Sequence, residues 1–215
     1  MKKRILASAM MAMITIGCAT TDLGTLNLQP NGETAAIILK IDSTPATAQK
    51  YIIHSYEPST AGDKIEKYKD SKALYLTNTK DGFLFSTLKP GHYYINELVQ
   101  QEQWSLCFHA STYAFEVKPD TVNYIGQLDP RSNIAQLQAT VIRERDQNAR
   151  EYNHYYYTDN ILPPGLLTAR ENDRRDAEEY LKLNAPGVGL PVVSSPITEA
   201  RYKPNLDIRG NPKTC

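Results

Sequence analysis

Four histidines, three cysteines and one dense tyrosine run are the residues of this chain whose types could do chemistry. The nearest approach to metal-ligand spacing is Cys107-Phe108-His109. A C-x-H pair supplies only part of a zinc or copper set, so two further ligands would have to be brought in by the fold. Ser105 and Ser111 lie outside any G-x-S-x-G turn, and no Gly-rich phosphate loop is present. Glu178 and Glu179 are consecutive, so on a helix they face apart and suit a solvated surface better than paired acid–base work. The expectation is a chain without catalytic residues, metal or cofactor. The run Tyr152-Asn153-His154-Tyr155-Tyr156-Tyr157 stands apart in composition. Tyrosines are flat, amphipathic and lose little entropy on ordering, which makes Tyr152, His154, Tyr155, Tyr156 and Tyr157 possible ligand-binding residues for a sugar or a partner. The other reading of the same run is a segment that covers an open sheet edge.

How the cysteines are used depends on where the chain resides. It opens MKKRILASAMMAMITIGCAT, a basic head of Lys2, Lys3 and Arg4 followed by an uncharged, mostly apolar run from Ile5 to Ile16. As a helix that run would measure about 18 Å, short of a hydrocarbon core of about 30 Å. Basic head, short apolar run and small terminal residue form the pattern of an export signal, with a buried N-terminal helix as the alternative. Ile14-Thr15-Ile16-Gly17-Cys18 resembles the bacterial lipobox, with Thr15 where that pattern more often has Leu. The resemblance implies cleavage after Gly17, a diacylglyceryl group on the Cys18 sulfur, and a further fatty acyl chain such as palmitate on the new amine. Two or more chains anchor stably where a single one is marginal. By the sorting rule of Gram-negative lipoproteins, Ala19 after the Cys implies the outer membrane, with the protein facing the periplasm.

Loss of residues 1–17 removes three basic and no acidic side chains, leaving 21 basic against 24 acidic. Without a dense Lys/Arg block, nothing favours a nucleic-acid partner electrostatically. Past Cys18 no stretch is long and apolar enough to span a bilayer, so the lipid is the expected membrane contact. In an oxidising envelope Cys107 and Cys215 become candidates for one disulfide, with two independent thiols as the alternative. Cys215 ends a segment carrying Pro186, Pro191, Pro196, Pro204 and Pro212. So extended a tail has little core of its own, and a covalent pin closing so long a loop would contribute about 4–5 kcal/mol in the chain-entropy model.

The elements that must position these groups are mainly strands. Residues 18–33 are polar and Gly/Pro-marked and read as a flexible tether. Short runs rich in Ile, Val, Tyr and Phe follow at 34–41, 51–57, 73–78, 83–88, 92–100, 112–117, 122–128 and 134–143. Several alternate apolar with polar; in one, Tyr113, Phe115 and Val117 interleave with Ala114, Glu116 and Lys118. Alternation with one apolar face predicts antiparallel strands covering a core on one side. Loop signals at 78–82, 89–91 and 118–120 separate them. Seven or eight short strands so spaced predict an antiparallel β-sandwich over 34–143. Residues 144–215 form a C-terminal extension. Within it, Thr168 to Glu171 has capping-box spacing, while Ala177, Tyr180 and Leu181 share one face, which predicts an amphipathic helix over about 169–184 laid on the sandwich. An extended Pro-rich tail completes the extension.

Two blocks carry a second resemblance. Leu88-Lys89-Pro90-Gly91-His92-Tyr93-Tyr94-Ile95 and the stretch from Tyr113 to Gly126 are similar to the paired L-x-P-G and F-x-V…Y-x-G motifs of prealbumin-like β-sandwiches in bacterial lipoproteins, relatives of carboxypeptidase regulatory-like modules. Gly91 is expected at positive φ, Gly126 at a bulge or close approach, and Asp120 stands where that pattern usually has Gly. Asp enters the left-handed region more readily than most residues. The resemblance implies a sandwich and brings no catalytic residues with it. Lipid anchor and sandwich lead to one functional expectation: a non-enzymatic binding or assembly module for an envelope protein or glycan. The alternative is an enzyme or carrier for a cell-wall or sugar ligand, built on Tyr152 to Tyr157 and a histidine.

Overall fold

The computed structural model describes residues 23–41, 50–58, 64–65, 68–75, 82–100, 104–107, 112–131, 135, 156–158, 165–167, 171–195 and 197–202. Two sheets pack face to face as a β-sandwich, with one α-helix of three to four turns among these residues. The first sheet is built on β1 (Ala35–Ile41), β5 (Phe83–Leu88) and β9 (Val122–Asp129). β1 sits between β5, to which it is antiparallel, and β9, to which it is parallel. The far edge of β9 is shared end to end by β11 (Gly165–Leu167), antiparallel, and β12 (Val192–Ser194), parallel.

The second sheet is centred on β6 (Gly91–Gln100). One edge of β6 takes β2 (Lys50–Tyr56), which carries β4 (Tyr68–Tyr75) beyond it. Its other edge is divided between β8 (Thr112–Val117) and β7 (Trp104–Cys107). Beyond β8 lie β13 (Thr198–Tyr202) and β3 (Lys64–Ile65); beyond β7 lies β10 (Tyr156–Thr158). Both sheets therefore mix parallel with antiparallel pairs, where alternation had predicted antiparallel pairing alone. The parallel partners of β9 and β7 come from distant segments that no hairpin could supply.

The core between the sheets explains the alternation. Ala35, Ile37, Leu39 and Ile41 of β1 meet Tyr51 and Ile53 of β2, Ile95 and Leu98 of β6, and Phe115 and Val117 of β8. β1 is buried on its other side as well, where Ala36 and Ile38 join Phe83, Phe85, Val122 and Tyr124 under α1 (Glu171–Asn184). Burial on both faces is why β1 opens on an unbroken apolar run, AAIIL, before Lys40. The helix presents Ala177, Tyr180 and Leu181 to that outer face, the three positions that their spacing selects. Thr168, the expected cap, lies outside the described residues.

The structure differs from several of the sequence expectations. From Leu23 onward the expected tether is docked, because Leu23, Leu26 and Leu28 pack against the cluster beneath α1. Asn31 and Gly32 donate their backbone N–H groups to the Asp120 carboxylate at 2.8 and 3.0 Å. The strand expected over 134–143 falls almost wholly outside the described residues, and Ala135, which is described, is helical. β4 begins at Tyr68, ahead of the expected 73–78, since its first half (YKDSK) is a polar edge strand without the apolar signature. Residues beyond 143 add β10, β11, β12 and β13, so the extension and the sandwich share sheets.

The turn chemistry agrees with its residues. Asp120 has φ 53°, Gly91 has φ 148° and Gly126 has φ 99°. Between Ile38↔Tyr124 and Lys40↔Gln127 the β1–β9 register shifts by one residue at Ile125-Gly126, a bulge where Gly supplies the positive φ. Buried Asn123 ties the preceding turn together: its Nδ2 donates to Ala36 O at 3.1 Å, and its Oδ1 accepts from Lys118 N at 3.1 Å.

Candidate functional site

Along one side of the sandwich β4 of one sheet faces β5 of the other, each paired on one side only among the described residues. An open cleft of about 550 Å³ occupies that mouth. Ser55 of β2 and Asp70, Ser71 and Lys72 of β4 line one wall. Thr87 and Leu88 of β5, Lys89 of the β5–β6 turn and Tyr93 of β6 complete the lining.

Each polar group is placed by strand phase. In β4, Lys72 is opposite Ile53 and two residues from core Leu74, so it occupies an inward-facing position. An inward charge at an edge strand discourages further strand addition. Its ammonium crosses the mouth and donates to the Thr87 carbonyl oxygen, bridging the sheets. Burial of this lysine holds its pKa below the ordinary lysine range. Asp70 donates its backbone N–H to Ser55 Oγ at 3.1 Å. Tyr93 lies over the core, stacked on Phe115 at 5.9 Å between centroids, and its hydroxyl donates to Lys89 O at 2.8 Å. Burial raises the Tyr93 hydroxyl pKa, with the Asp70 charge adding to the rise.

The cleft brings together the ammonium groups of Lys72 and Lys89, the Asp70 carboxylate and the Ser55 hydroxyl beside Leu88 and Tyr93, groups able to hydrogen-bond a polar molecule. A cleft of this size matches small-ligand sites, and its lining mixes polar and apolar surface in nearly equal measure.

A second cluster lies on the outer face of the β2–β6 pair, where cross-strand registry sets His54 opposite Tyr94 and Tyr56 opposite His92. His54 Nδ1 and the Tyr94 hydroxyl are 3.0 Å apart, a hydrogen bond whose direction follows the imidazole tautomer. The two rings meet edge to face at 5.3 Å, and Tyr56 lies 5.9 Å from both His92 and Tyr94. Tyr94 is buried with Ala114 and Ala200, and partial burial lowers the His54 pKa. Among the described residues no group of three or more His, Cys, Asp or Glu is close enough to hold a metal ion. No described helix is long and apolar enough to cross a membrane.

The residues singled out from sequence fall in other places. Cys18, Cys215, Tyr152, His154 and Tyr155 lie outside the described residues, as does His109. Cys107 closes β7, opposite Glu97 of β6; its pairing with Cys215 lies outside the described residues. Tyr156 and Tyr157 form β10, running parallel to β7 from Trp104 at the margin of the second sheet. There Tyr156 and Tyr157 pair through their backbones with β7. Thr158 is level with Leu106 and Leu98, and His92 stands six residues away along β6, roughly 20 Å at about 3.3 Å per residue. Tyr156, Tyr157 and His92 are therefore not brought together.

The cleft itself was missed in the sequence. Its one readable sign is Lys72 in phase with Leu74, an inward lysine that marks an edge strand. Comparisons with protein-family models, with curated proteins and with solved structures find no match to this chain.

Proposed function

We infer that this chain is an outer-membrane lipoprotein, anchored through acyl chains on Cys18, whose sandwich faces the periplasm as a non-enzymatic module that binds an envelope glycan or protein. The observation that carries the reading is the open cleft at the sandwich mouth, where Lys72, Lys89, Asp70 and Ser55 are gathered from separate elements beside Leu88 and Tyr93. The lipobox resemblance at Ile14 to Cys18 supports the location. The prealbumin-like pattern at Leu88 to Ile95 and Tyr113 to Gly126 supports a role as a binding scaffold, since loops and edges of a rigid sandwich carry recognition. Within this reading Cys107 and Cys215 pair in the oxidising compartment.

Two measurements test it. Affinity capture from detergent-solubilised envelopes, with the purified protein as bait, is expected to retain a specific glycan or protein; retention of neither would overturn the binding role. Intact-mass analysis is expected to give a triacylated N-terminus at Cys18, abolished in Cys18→Ser, and non-reduced peptide mapping a Cys107–Cys215 linkage. An unmodified Cys18 would remove the anchor from the reading, and free thiols at both other cysteines would remove the disulfide.

A further inference from the structure

We propose that the cleft between β4, β5 and the start of β6 is a subsite for a carboxylate-bearing saccharide. This rests on the binding-module reading and names its ligand class.

The argument is a balance of donors and acceptors. Lys72, Lys89 and Ser55 bring side-chain donors to the cleft, against one carboxylate, Asp70, while Ser71 and Thr87 line it from outward-facing strand positions. A site rich in donors with two cations fits a ligand that is mainly acceptor and carries negative charge. Lys72 is decisive among them. Its ammonium is half-buried and its bond to the Thr87 carbonyl uses one of three N–H donors, so an incoming carboxylate offsets the cost of desolvating it. Asp70 then has a definite part: it accepts from ligand hydroxyls, and a second negative charge on the ligand would be repelled by it. That favours a singly charged sugar acid over a phosphate dianion. The Ser55 hydroxyl and the Asp70 carboxylate match the hydroxyls and ring oxygens of a saccharide. The Leu88–Tyr93 floor supplies the apolar surface on which one sugar face rests. The bland alternative is that Lys72 only seals the sandwich edge. In that case its charge would matter for stability and not for any ligand.

Titration calorimetry on the purified protein tests this with two probes of different source: a disaccharide containing glucuronate and one containing N-acetylmuramate. Each is paired with its uncharged counterpart, the glucose analogue and the methyl ester. At least one acid is expected to bind, with the uncharged counterpart about tenfold weaker or more. Lys72→Gln is expected to weaken acid binding by a similar factor, and the binding acid identifies the source. Lys89→Gln, at an exposed turn position where folding is undisturbed, is expected to weaken it by a smaller factor. Asp70→Asn should narrow discrimination against a phosphorylated sugar. Equal binding of acid and neutral sugar, or acid binding unchanged in both lysine variants, would overturn the subsite. If capture from envelopes still retains a glycan or protein while neither acid binds, the subsite falls and the binding module stands. If capture retains nothing, the module reading falls and takes the subsite with it.

Discussion

The two sheets of the sandwich solve the same burial problem in opposite ways. In the first, β1 is buried along both faces, one against the second sheet and the other under Tyr180, Leu181 and Ala177 of a helix more than 130 residues away. In the second, β2 buries Tyr51 and Ile53 inward and leaves His54, Ser55 and Tyr56 partly accessible. Two-sided burial recruits distant chain as a lid and fills that sheet with apolar side chains. One-sided burial frees alternate positions for polar groups. The charged cleft lies where β4 faces β5, and the His54–Tyr94 cluster lies on the second sheet.

Removing the lid is the strongest way to break this contrast. Tyr180→Ala is expected to cost about 3–5 kcal/mol in urea denaturation, since a large aromatic leaves a cavity against Phe83. Tyr56→Ala, on the accessible face, is expected to cost under about 1.5 kcal/mol; equal losses would erase the distinction between the faces.

The bulge that lets β9 follow β1 on the two-sided sheet comes next. Gly126→Ala forces an L-residue to φ 99° and is expected to cost about 1–3 kcal/mol by the same assay. At Asp120 the conformation and the clasp on Asn31 and Gly32 are separable: Asp120→Gly keeps the backbone freedom and loses the charge-assisted bonds. A loss of about 1–2 kcal/mol is expected, and no loss would show the clasp to be energetically idle.

On the one-sided sheet, burial lowers the His54 pKa in the folded state. Above the unfolded value of about 6.5 both states are neutral and His54 contributes nothing to the pH dependence. As pH falls through that value the unfolded chain takes up the proton first, so stability declines until the lower folded pKa is passed. His54→Gln is expected to flatten this decline below about pH 7. An unchanged slope would assign the acid sensitivity elsewhere.

The smallest effect concerns the core that both sheets share. The Tyr51 hydroxyl is fully buried with no hydrogen-bond partner among the described residues, and burial raises its pKa far above the usual range. Tyr51→Phe removes an unsatisfied polar group and is expected to raise stability by up to about 1 kcal/mol. A loss of stability would reveal a partner for that hydroxyl.

Much of this scaffold was legible as local pattern. The unbroken run of β1, the alternation of β8, the helix face at Ala177, Tyr180 and Leu181, and the positive φ at Gly91 and Asp120 all follow from residue type and spacing within a few positions. The cleft did not follow. Ser55, Asp70, Lys72, Thr87 and Tyr93 sit on four strands, and no short window holds more than two of them. The polar half of β4 and the three-residue strands β10, β11 and β12 also escaped, because a strand that short owes its state to the neighbour it bonds.

What the sequence by itself determined is therefore the set of segments able to bury a face, and the turns that only Gly or Asp relieves. Those are decided by side-chain chemistry against the local periodicities of strand and helix. Only the tertiary structure decided which edges meet: that β9 lies parallel to β1, that Tyr156 and Tyr157 lie beside β7, and that Lys72 reaches Thr87 across the sheets. Those outcomes turn on packing between segments far apart in the chain, whose hydrogen-bonding edges are alike in every sequence, so the choice among them is made by the assembled core.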